Sequence, residues 1–222
     1  MDELIEIYKK TLRQIHGDSK SDAEIDKMAR EIIESRPDKE VLKKSIGFAY
    51  YSGMISDEEI EGFKLQVENH NFKFFKKDKS KEVYNSFHDI ISEVVIILGS
   101  EVTGGIILGA AGSGLWSIVT DWVKYVRQKI NGKKVKKISA GEVKEEIKVV
   151  LHIRLKLDEI SEMDFDLGEE IPTIELDESL NKALSIAKEE NEKDKINLVN
   201  AKKRYRYNHQ TKEWEIIKRR KK

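Results

Sequence analysis

Cysteine is absent from the 222-residue chain. That excludes disulfides, thiolate metal sites and a cysteine nucleophile, and it fits a reducing compartment. Proline is scarce, Pro37 and Pro172 being the two present, so long stretches are free to run as uninterrupted helix. Net charge is lacking too: 41 basic and 41 acidic residues cancel, and no whole-molecule field favours nucleic acid or an acidic substrate. The start, MDELIEIYKK, carries no apolar signal-peptide core, so a cytoplasmic protein is expected, at the inner face of a membrane if an apolar segment meets lipid. There is no G-x-S-x-G elbow and no HExxH pair. No enzymatic activity, cofactor, metal or small-molecule substrate is indicated.

Hydrophobic residues make up 39% of the chain, enough to build cores, so the chain is not expected to be disordered. Leu4, Ile5, Tyr8, Leu12 and Ile15 keep helical spacing up to Gly17. Ser21 with Glu24 and Ser56 with Glu59 form capping boxes. They open helices through Ile25, Met28, Ala29, Ile32 and Ile33 and through Ile60, Phe63 and Val67, with a third helix between them reaching about Tyr51. Two long helices are expected over about 82–130, turning near Gly99-Ser100. After Asn131-Gly132 the period changes to 2, and Ile147 to Leu157 reads as one long strand. Asp177 opens a helix through Leu180, Ala183, Leu184 and Ala187. Tyr205, Tyr207, an Asn208-centred turn and Trp214 read as a hairpin with a cross-strand Tyr–Trp pair. The expected fold is α+β in three parts: a helical domain over 1–76, a glycine-rich helical hairpin over 77–131, and an antiparallel sheet with one helix and a basic tail over 132–222.

The least ordinary stretch is Val102 to Val119, VTGGIILGAAGSGLWSIV, uncharged in a chain that is 37% charged. Gly105, Gly109, Ser113 and Ser117 recur every four residues, and on one helix they fall along one edge that admits a close second helix. The run resembles glycine-zipper segments, which specify close packing rather than activity. Trp116, Trp122 and Tyr125 then suit membrane-interface anchors, and Lys124, Arg127 and the tail Lys218, Arg219, Arg220, Lys221 and Lys222 suit an anionic surface. Against insertion stand Glu93, Glu101 and Asp121, each costing about 2.5–3.5 kcal/mol near a bilayer centre.

Other chemistry is faint. Gly109 to Gly114 lacks the Lys-Ser/Thr of a phosphate loop. Asp164, Asp166 and Glu175 mimic a calcium loop with its glycine misplaced, and read better as an acidic solvated connection. The five histidines are scattered, and His152 and His209 read as surface residues. Glu146-x-Lys148 mimics half of a nuclease motif, and Phe72, Phe74 and Phe75 among lysines read as a core contact beside a solvated linker. The expected role is non-enzymatic: assembly as a homo-oligomer, or membrane association, through the glycine-rich hairpin. The alternatives are a structural subunit of a large assembly, such as a phage particle, and a nucleic-acid-binding module using the lysine/phenylalanine stretch and the tail.

Overall fold

The computed structural model describes residues 6, 9, 12–13, 20–34, 39–81, 93–109, 112–139, 142–158, 161–169, 171–193 and 202–217. The chain forms two compact units, residues 1–42 and 43–222. In the first, α1 (Asp22–Glu34) starts at the expected box: the Ser21 amide donates to the Glu24 carboxylate at 2.9 Å, and the Glu24 amide donates back to Ser21 Oγ at 3.3 Å. Its apolar stripe buries Ile25 and Ala29 with Leu12, and Met28 packs alongside. Leu4, Ile5, Tyr8 and Ile15 of the expected first helix, and Pro37, lie outside the described residues. A short helix, α2 (Lys39–Lys43), follows.

The second unit contains a seven-stranded mixed sheet. Its strands are β1 (Ser45–Tyr50), β2 (Lys73–Asp78), β3 (Glu93–Leu98), β6 (Val150–Lys156), β7 (Glu162–Asp166), β8 (Lys202–Asn208) and β9 (Glu213–Ile216), in the order β2-β1-β3-β6-β7-β8-β9. β4 (Lys134–Ser139) and β5 (Glu142–Lys148) make a separate two-stranded sheet. The pairs β1/β2, β3/β6 and β7/β8 are parallel and meet one another antiparallel. Parallel neighbours need a crossover. Here α3 (Asp57–Glu68) links the first pair and α6 (Leu176–Lys193) the third. The second is linked by α4 (Ser100–Ile107), α5 (Gly112–Ile130) and the β4–β5 hairpin.

Alternation puts Ile46, Phe48, Val94, Ile96, Leu98, Leu151, Ile153, Leu155, Met163, Phe165, Tyr205 and Tyr207 on one face. All of them join a single core with the buried faces of the helices, among them Phe63, Val102, Leu115, Val119, Val123, Val126, Leu180 and Ala183. The apolar side of α5 is therefore covered by the sheet and its neighbouring helices. No helix among the described residues is long and apolar enough to cross a membrane.

Mixed helix and sheet are present as expected, but the sheet is larger than an antiparallel C-terminal one, and it is mixed. The expected third helix ends at Lys43, and residues 45–50 are β1, where Ile46, Phe48 and Tyr50 alternate inward and Gly47 weakens helix. Within the expected helix over 82–99, residues 93–98 are β3, a β-branched run whose six residues are all buried or nearly so, as in a central strand. Phe87, Ile90 and Ile91 lie outside the described residues. Residues 73–78 form edge strand β2, with Phe74 set edge-on to Phe63 at 5.5 Å. The long strand expected over 147–157 is two strands in two sheets. Lys148 pairs with Lys134, Val150 pairs with Glu93, and Val149 makes the step. The terminal hairpin forms as read: Tyr207 sits opposite Trp214, and Asn208 Oδ1 accepts from the Gln210 amide at 2.9 Å.

Candidate ligand cavity

A concavity with a volume of about 940 Å³ lies in the second unit. Three segments make it: the last two turns of α5 with Asn131-Gly132, the strand junction Lys148–Leu151, and the carboxyl end of β7 with the connection that follows to Leu176. Arg206, opposite Asp166 across the β7/β8 pair, adds a wall. Carboxyl ends of parallel strands are where open α/β sheets hold ligands, because the crossover helix starts there and leaves a crevice. The floor is apolar, with Ile130, Val149, Leu151, Leu167, Ile171 and Leu176 all buried.

Local sequence explains the wall after β7. The Leu167 amide donates to the Leu151 carbonyl at 2.8 Å, carrying β7 past its last sheet residue. Asp166 Oδ1 accepts from the Gly168 amide at 3.0 Å, an Asx turn that bends the chain away from the sheet. Ile171 plugs the core beneath, and Pro172 precedes a 3-10 turn (Thr173–Glu175) that leads into α6. Arg127, from α5, ties the connection down: its Nη2 donates to the carbonyls of Gly168, at 2.9 Å, and Ile171. Arg127 Nη1 is buried with no hydrogen-bond partner. Burial lowers the basicity of this guanidinium, and the charge of Glu169 offsets that in part.

No protein-family model, curated protein or solved structure matches this chain.

The uncharged run is broken rather than one helix: α4 ends at Ile107, Gly109 turns with φ +72°, and α5 begins at Gly112. Gly105 is half-buried on α4, Gly109 and Ser117 are exposed, and Ser113 lies in the first turn of α5. The four do not share an edge of one helix, because the left-handed residue ends the first helix. Trp122 is buried, stacked on Phe63 at 4.6 Å and edge-on to Phe48 at 5.5 Å. Tyr125 stacks on Trp122 and donates to Glu59, and Trp116 donates to Asn181 at 3.1 Å. These three bind α5 to its neighbours within the unit. Lys124 reaches Asp177 on α6 at 2.7 Å, and Lys124 and Arg127 come together on the cavity wall. Lys218, Arg219, Arg220, Lys221 and Lys222 lie outside the described residues.

A second group was not legible in the sequence. His152 and Asp164 are buried and sit on the sheet face away from Ile153 and Phe165. His152 Nδ1 lies 2.6 Å from Asp164, and its Nε2 lies 3.5 Å from Glu93. Arg154 donates to Asp164 at 2.7 Å, and Arg204 bonds to Glu93. The expected acidic solvated connection at 164–166 is instead strand β7, and His152 is not a surface residue. The only signal was charge alternating along β6, β7 and β8, which also describes a solvated face. His152 and Arg154 hold the Asp164 carboxyl far below its ordinary range against the opposing effect of burial. Among the described residues no group of His, Cys, Asp and Glu forms a metal site. The closed, mutually bonded network has the character of a structural clamp across β3, β6, β7 and β8.

Proposed function

We propose that this protein is a non-enzymatic binding protein that holds a small organic ligand in the cavity between α5 and the carboxyl end of β7. The observation carrying this reading is the combination of a volume of about 940 Å³ with an apolar floor and a polar rim, the make-up of small-molecule sites. Thr173 stands exposed at the rim, so Thr173→Trp should close the mouth without touching the core. A panel of neutral, anionic and cationic metabolites is screened by thermal shift. A ligand at about 100 times its Kd adds about 2.7 kcal/mol to wild-type stability, and Thr173→Trp should lose that gain. If no member stabilises the wild type, or the tryptophan variant responds equally, the reading fails.

Assembly through the α4–α5 turn is a second proposal, favoured by one observation. Leu108 is 76% exposed at the turn that Gly109 shapes. Homo-oligomerisation through this tip predicts that Leu108→Asp converts an oligomer to monomer in light scattering. A wild type that stays monomeric at every concentration removes it.

A further inference from the structure

Four cations line the cavity, Lys124, Arg127, Lys148 and Arg206, against the carboxylates of Asp166 and Glu169. Three of the four have acidic partners: Lys124 with Asp177 at 2.7 Å, Lys148 with Glu169 at 2.9 Å, and Arg206 with Asp166 at 3.8 Å. Arg127 differs. Its acceptors are the neutral carbonyls of Gly168 and Ile171, its Nη1 is buried and unbonded, and among the described residues no carboxylate is bonded to it. A half-buried guanidinium with no carboxylate bonded to it among the described residues, and only the nearby charge of Glu169 in partial compensation, is a costly arrangement that an incoming anion would relieve.

Resting on the cavity reading above, we infer that Arg127 is the recognition group for an anionic ligand, a phosphate or carboxylate carried on a compact organic body. The planar guanidinium matches both oxyanions through paired N–H donors, and the apolar floor takes the organic body. Arg127 Nη1 is closed to water in this structure, so an oxyanion reaches the guanidinium by replacing the Gly168 or Ile171 carbonyl. Binding then releases the carbonyls that Arg127 pins, and occupancy is coupled to movement of residues 167–169 and 171–173.

Calorimetric titration at matched ionic strength separates the sources, with pyrophosphate as the phosphate arm and citrate as the carboxylate arm. At least one is expected to bind below about 10 mM, near the weak end of measurable affinity. Arg127→Gln should weaken binding about tenfold or more, equivalent to about 1.4 kcal/mol per decade, and Arg127→Lys should fall between. Glu169→Gln should tighten binding, because it removes a carboxylate whose charge acts on Arg127. Amide exchange over 167–169 and 171–173 should change with ligand. Neither anion binding, a folded Arg127→Gln that binds like wild type, or weaker binding by Glu169→Gln would overturn the assignment. If neutral panel members still stabilise wild type and not Thr173→Trp, only the anion assignment falls. If nothing binds, both readings fall.

Discussion

Trp122 contacts Phe48, Phe63 and Tyr125 inside the core of the second unit. Trp122→Ala should therefore cost about 3–5 kcal/mol in denaturant unfolding, whereas an exposed anchor would change stability within about 0.5 kcal/mol. Asp164 is the acceptor shared by His152 and Arg154. Asp164→Asn strips charge from a buried network and should cost about 3–5 kcal/mol; a loss under about 1 kcal/mol would deny the clamp. Glu59 sets an acid-side dependence. Its carboxyl is lowered from 4.5 to about 2, first by the hydrogen bond from Lys129, then by those from Tyr125 and the Ser56 amide. A lowered folded-state value means the stabilisation is complete above pH 4.5 and is lost as pH falls toward 2. Melting temperatures should fall more steeply across that window in wild type than in Glu59→Gln. Parallel curves would contradict the assignment.

Elements with a local chemical signature were legible. Ser21-x-x-Glu24 and Ser56-x-x-Glu59 start helices, and Tyr205, Tyr207, Asn208 and Trp214 make the last hairpin, because each depends on contacts a few residues apart. Ile46–Tyr50 and Glu93–Leu98 are not settled by local sequence, because a short apolar run suits a buried helix or a central strand equally, and only the partners across the sheet decide. Of the cavity, Lys124 and Arg127 stood out as basic residues. Their convergence with Gly168 and Asp166 depends on segments about 40 residues away, which no spacing rule reaches. Gly109 adopts φ +72° between α4 and α5, where a β-carbon is disfavoured by about 1–2 kcal/mol. Gly109→Ala should cost about that much in chemical denaturation, and a neutral result would show that the turn relaxes.

At the scale of the molecule, three parallel strand pairs, each joined by helices, lie side by side with alternating direction. Antiparallel junctions between the pairs place the carboxyl end of β7 beside the start of β6, and the cavity opens where they meet under α5. The bonds that hold Arg127 against the β7–α6 connection also hold the wall of that cavity. Ligand binding there is tested by a residue-resolved map of amide shifts while citrate or pyrophosphate is added to the intact protein. Shifts should concentrate at residues 124–132, 148–151, 166–169 and 171–173 and at Arg206. Shifts centred on 102–119 instead, or none anywhere, would contradict it.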